Sequence, residues 1–147
     1  MTSQAAWTHL VNLQNRIVLV ERLSGSYTGS DDYDTQIPIG GFKAVAGRSV
    51  EAERGHIRAV SNTEMRLMVM RGHNHHLPLL RWTDMIAHVG YDIGYLDSLG
   101  DKTAMGLFTG LSFAGDGLHV MPGYFGLSMG WSPDHQPQYY VHIAHRL

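Results

Sequence analysis

With 147 residues, 44% of them hydrophobic, the chain is long enough for one domain with a real core and too short for two ordinary ones, so a single domain over 1–147 is expected. It has no cysteine, which excludes disulfides and thiolate chemistry, and its net charge of −2 comes with arginines (48, 54, 58, 66, 71) interleaved with Glu51, Glu53 and Glu64 rather than gathered into the basic stripe that nucleic acid requires. No apolar run approaches the ~20 residues of a membrane helix, and the start MTSQAAWTHLVNLQNR lacks a basic stretch followed by an apolar one, so the expectation is a cytoplasmic protein with no membrane partner.

Residues 16–23 (RIVLVERL) are rich in β-branched side chains and stop at Ser24-Gly25-Ser26, the pattern of a buried strand entering a loop. The acidic stretch 29–34 reads as an exposed loop, because the spacing and closing glutamate of a calcium loop are absent. Segments 42–50, 56–60 and 64–71 follow as short strands. In the last, Met65, Leu67 and Val69 alternate with Glu64, Arg66 and Met68, which predicts that the first set faces the core.

Residues 71–76 (RGHNHH) carry His73, His75 and His76, weak candidates for metal ligands because alternate histidines on a strand point to one side. No nearby acid supplies a fourth ligand or an outer-shell acceptor, so a metal-free protein without a cofactor is expected. Segment 83–99 fits two patterns. Ile86, Val89, Ile93 and Leu96 form a helical stripe between Thr83 and Gly100, while Ala87, Val89, Tyr91, Ile93 and Tyr95 alternate with His88, Gly90, Asp92 and Gly94. Two internal glycines would cost a helix roughly 1 kcal/mol each relative to alanine, so strand is expected, with one short helix as the alternative.

Three segments, 88–96, 104–113 and 124–131, each place two glycines four residues apart among bulky apolar residues. The last two form a meander with 139–147, turning at 114–117 and in the proline-containing loop 132–138, with a bulge or edge bend at Pro122-Gly123. The fold class expected is all-β: a small antiparallel barrel or closed sandwich. Met105, Leu107, Leu111 and Phe113 then share an apolar layer with Phe125, Leu127, Met129 and Trp131, and with Val141, Ile143 and Leu147. The opposite face is bare, and a bare face admits either a ligand or another layer of the same protein.

The functional expectation is a cavity for a small, mostly apolar organic molecule. Gly106, Phe108, Gly110, Tyr124, Gly126, Ser128 and Arg146 would line it, and His88, Asp92, Tyr140 and His142 would orient the ligand or move protons in a cofactor-free isomerisation, cyclisation or dehydration. Asp92, beside His88, is the candidate general base. No G-x-S-x-G elbow or phosphate-binding glycine loop is present. The alternative is a lectin-like or protein-interaction module using exposed aromatics such as Trp82 and Trp131. A homo-oligomer is compatible with either.

Overall fold

The computed structural model describes residues 2–41, 44–49, 53–72, 75–77, 80–100, 102–117, 121–133 and 135–145. For 75–77, 80–82, 115–117, 121–124 and 144–145 it describes the backbone alone. The strands are β1 (Thr2–Gln14), β2 (Ile17–Thr28), β3 (Ile37–Pro38), β4 (Arg54–Gly55), β5 (Ile57–Met70), β6 (His75–Leu77), β7 (Leu80–Trp82), β8 (Asp84–Leu96), β9 (Thr103–Gly117), β10 (Met121–Trp131) and β11 (Gln138–His145). The only helical turns among the described residues are two three-residue 3₁₀ turns, at Tyr33–Thr35 and Asp97–Leu99.

Seven long strands follow one another in the order β1-β2-β5-β8-β9-β10-β11, every pair antiparallel. This is the all-β meander expected. The pairs β3–β4 and β6–β7 lie within the two longest connections. Among the described residues β1 and β11 do not pair with each other, so the ladder has two free edges and no closed barrel. Among the described residues no helix is long and apolar enough to cross a membrane.

Segment 83–99 is a strand, as its glycines and β-branched residues require, ending in the 3₁₀ turn. Segments 56–60 and 64–71 fuse into β5, because the polar residues Ser61-Asn62-Thr63 between them pair in the ladder instead of turning. Residues 2–14, for which the sequence reading offered no strand, form β1. Of the expected strand 42–50, the described residues 44–49 form bends and turns with one isolated bridge, Gly40 to Val45, and no ladder strand. The expected turn 114–117 belongs to β9, which carries the β9–β10 hairpin closure to residues outside the described set. Pro122 pairs with Asp116 of β9 and lies just beyond the last residue paired to β11, where its missing N–H interrupts no second ladder.

The sheet is inverted relative to the expected core. The register sets Leu67, Ala87, Leu111, Leu127 and Val141 side by side in one row across five strands, and Thr63, Tyr91, Leu107 and Trp131 in another. These apolar residues face outward: Leu111 is 41% exposed, Trp131 54% and Val141 66%. Met65, Leu67 and Val69, expected inside, are exposed with them. The buried residues of β5, β8, β9 and β10 are the alternate set, including Asn62, Glu64, His88, Asp92 and Ser128.

The small apolar core lies on the inner side near one end of the sheet. It consists of Ile39, Ala44, Val45, Val60, Leu96 and Ala104, half of it supplied by segment 39–49 between β3 and β4. That segment also shows the sheet to be strongly curved. Ala44 contacts Asn62 on β5, Ala46 contacts Asp92 on β8, and Gly47 contacts Tyr140 on β11. In a flat sheet β5 and β11 would stand about 19 Å apart at ~4.8 Å per strand, far more than four consecutive residues bridge in a turn. The sheet therefore wraps around the segment.

Candidate functional site

The concave face carries two layers of polar contacts, and the glycine repeats explain both. In the upper layer, a Cβ on Gly94 would collide with Val45 and Ile39, one on Gly106 with the Ala46 carbonyl, and one on Gly130 with the Gly47 amide. The bare face is thus filled here by another layer of the same chain. Gly47 has φ of 81°, and a Cβ there would run into the backbone of Trp131, so both conformation and space require glycine.

Side chains lock this layer in place. Asp92, 1% exposed, accepts hydrogen bonds from Asn62 Nδ2 (2.7 Å) and from the Ala46 amide (2.8 Å). Asn62 also donates to the Ala44 carbonyl (2.9 Å), and the Tyr140 hydroxyl accepts from the Gly47 amide (2.9 Å). Burial pushes the Asp92 carboxyl up to about 6, although Asn62 and Ala46 hold it down in part. Burial, joined by the charge of Asp92, also raises the Tyr140 phenol, so it stays protonated at neutral pH. Asp92 and Tyr140 are brought together by their common anchoring of segment 39–49, and the bonds of Asp92 go to that anchor and not to His88.

In the lower layer, Ser128 Oγ lies 2.8 Å from His88 Nε2 and 2.9 Å from His142 Nε2. The register places Gly110 between His88 on β8 and Ser128 on β10, and pairs Gly126 with His142 on β11. A Cβ on Gly110 would strike the Ser128 hydroxyl and His88, and one on Gly126 would strike His142. These glycines therefore let the imidazoles and the hydroxyl lie against the sheet. Phe108, buried, crosses Gly90 in the same way and rests 6.1 Å from the His88 ring.

A hydroxyl has one proton to donate, so the two imidazoles hold Ser128 in different ways: one Nε2 accepts and the other donates. Burial lowers the basicity of both rings, and the charge of His142 lowers that of His88 further. Both are shifted toward the uncharged form. Glu64, buried nearby, favours the cationic form of each ring. Burial raises its own carboxyl, but the two hydrogen bonds and charge of Arg66 and the charge of Arg22 outweigh that and leave it below the ordinary value.

Of the residues expected at the site, His88, Phe108, Gly110, Gly126, Ser128 and His142 meet in the lower layer, while Asp92, Gly106 and Tyr140 belong to the upper one. Tyr124 lies on β10 with only its backbone described, and Arg146 and His73 lie outside the described residues. His75 and His76 are on β6, again with the backbone alone. No cluster of three metal-ligating side chains occurs among the described residues. Sequence reasoning missed Asn62, Glu64 and Ala46; the signal for the first two was their place among the inward positions of β5. Compared with known proteins, the chain matches no family model, no curated protein and no solved structure.

Proposed function

We propose that this protein works in a lipid bilayer, with the convex face of its sheet against acyl chains and its concave face holding a polar site. The observation that carries this reading is the composition of the convex face. Among the described side chains of β5, β8, β9, β10 and β11 no outward-facing position carries Asp, Glu, Lys or Arg, and the residues there include Met65, Val89, Tyr91, Ile93, Leu107 and Ile143. Glu21 is the one acid on the outward positions of β1 and β2, and it sits against His9. Apolar side chains outside and hydrogen-bonded polar groups inside are the signature of membrane β-structure, whereas a water-soluble sheet reverses them.

The dimensions agree. On β8 the outward residues from Met85 to Tyr95 are all apolar or aromatic, and ten residue steps cover about 33 Å of strand, enough for an apolar band ~25 Å tall at the usual tilt. Tyr27, Tyr95, Trp131 and Tyr139 all fall at the end of the sheet where segment 39–49 packs, as an interfacial aromatic belt would. Between Trp7 and Leu23 on one side and Ile93 and Tyr95 on the other, Gly25 and Ala59 leave an apolar groove of about 510 Å³. The expectation of no membrane partner rested on the lack of a long apolar run and of a basic-then-apolar start, whereas strands cross with ~9–11 residues each.

A ligand site for a small, largely apolar molecule is retained on the concave face, restricted to the lower layer around Phe108, Gly110, Ser128 and His142, since segment 39–49 occupies the upper one. A carbohydrate platform is less supported: Trp131 is exposed, but its row neighbours are Leu107 and Tyr91 rather than groups that bond sugar hydroxyls. The test is co-flotation of refolded protein with phosphatidylcholine vesicles. Recovery with the vesicles after an alkaline carbonate wash is expected; protein left monomeric in the aqueous fraction would overturn the reading.

A further inference from the structure

We propose that Ser128 is a nucleophile toward carboxylic esters of acyl chains, with His88 as its general base and His142 as a hydrogen-bond donor to its oxygen. The substrate class rests on the membrane reading above, while the nucleophile itself rests on geometry alone. Ser128 Oγ is within hydrogen-bond reach of two Nε2 atoms, and a serine needs one neutral imidazole at that distance to lose its proton as it attacks. Burial favours the neutral form of both rings, so one can accept. We assign acceptance to His88, the more enclosed ring, whose cation Glu64 would stabilise across the neighbouring strand.

Access also fits. Ser128 is on β10, and His142 on β11 is half-buried on the concave face beside it, so an ester entering that face reaches the hydroxyl past His142. The buried ring of Phe108, beside His88, gives the acyl chain an apolar wall.

The step balances without a cofactor. Ser128 Oγ bonds to the ester carbonyl carbon as its proton passes to His88 Nε2. The C–O bond to the alcohol then breaks, the alkoxide takes the proton from His88, and the acyl group remains on Ser128. Water attacks that acyl-serine with His88 again accepting the proton, and the fatty acid leaves as Ser128 Oγ is reprotonated.

The experiment treats full-length protein, in vesicles and in detergent micelles, with a long-chain alkyl fluorophosphonate, and follows hydrolysis of p-nitrophenyl esters of short and long acyl chains. A single adduct on Ser128 is expected, absent in Ser128→Ala, with a labelling rate that rises with pH through the histidine range. His88→Gln should slow it at least ~100-fold, the ordinary contribution of a general base, and His142→Gln, which keeps a donor, much less. No adduct on Ser128 in folded wild-type protein, or labelling unchanged in His88→Gln, would overturn the proposal. Flotation of the same samples separates the two readings: labelling without vesicle binding would remove the lipid substrate and leave the nucleophile, and vesicle binding without labelling would remove the nucleophile alone.

Discussion

The backbone amide of Ala46 donates to the carboxylate of Asp92 over 2.8 Å, tying the segment inside the sheet to the middle of β8. Because that carboxylate is almost wholly buried, it titrates at about 6 instead of 3.8, and the folded chain binds a proton in that range that the unfolded chain has released. Stability should therefore fall as pH rises from about 4 to about 6 and level off above, by roughly 3 kcal/mol for a shift of this size. His88 and His142, lowered by burial, act with the opposite sign, losing stability as pH falls below the ordinary histidine range. Denaturant melts of wild type and Asp92→Asn across this range isolate the aspartate: the difference between the two should lose its dependence on pH above about 6.

Gly106 and Gly130 lie beneath the segment that Asp92 holds. Replacing either with valine should expel the segment and cost about 1–3 kcal/mol or more, because the obstacles are the backbone atoms of Ala46 and Gly47, which cannot rotate away. Proteolysis is the readout, with cleavage at Arg48 rising sharply in the variants. Resistance equal to wild type would show that the glycines do not seat the segment.

Ser128 links two histidines that stand on β8 and β11, three strands apart in the ladder. Ser128→Ala should cost about 1–3 kcal/mol, since the hydroxyl it removes satisfies buried ring nitrogens. Gly110→Ala should cost a comparable amount by forcing His88 and Ser128 apart, and the Nε2 resonances of His88 and His142 should both shift in its spectrum.

How much of this was legible follows from the period-2 pattern. Alternation on 104–113 and 124–131 identified the strands and sorted their residues correctly into two faces, and the glycine spacing identified the face that receives packing. Alternation carries no sign, however, and the apolar set was assigned to the interior because that is where water drives it. Glu64 and Asp92 on the inward set were the available hint of the reverse. Segment 39–49 was illegible for another reason: Val45 and Ala46 are buried by long-range contact with β8 and β9, and locally GGFKAVAG resembles a strand. The pairing of His88 with Ser128 required the β8–β9–β10 register, which no single segment encodes.

Both edge strands are free of Lys, Arg, Asp, Glu and Pro, so neither carries the devices that block pairing. They also run in the same direction, being separated by an even number of antiparallel steps. In hydrocarbon their unpaired amides would be costly, so in vesicles β1 and β11 should be paired, with each other or with a second copy. Hydrogen exchange should show their amides protected like those of β8 in vesicles; free exchange there would mean that the edges lie outside the lipid.

Charge tolerance along β8 should follow depth. Val89→Arg should destabilise the vesicle-bound protein by about 2–4 kcal/mol and Tyr95→Arg, near the belt, by about 0–1 kcal/mol. In a sheet facing water both would be close to neutral.

The orientation of the sheet is tested most directly by the tryptophans on its convex face. In a Trp82→Phe variant, emission comes from Trp7 and Trp131, both more than half exposed. With vesicles of lipids brominated along the acyl chain, their fluorescence should be strongly quenched and blue-shifted, while aqueous iodide should have little effect. Strong quenching by iodide with none by the brominated lipids would place this face in water and contradict the account.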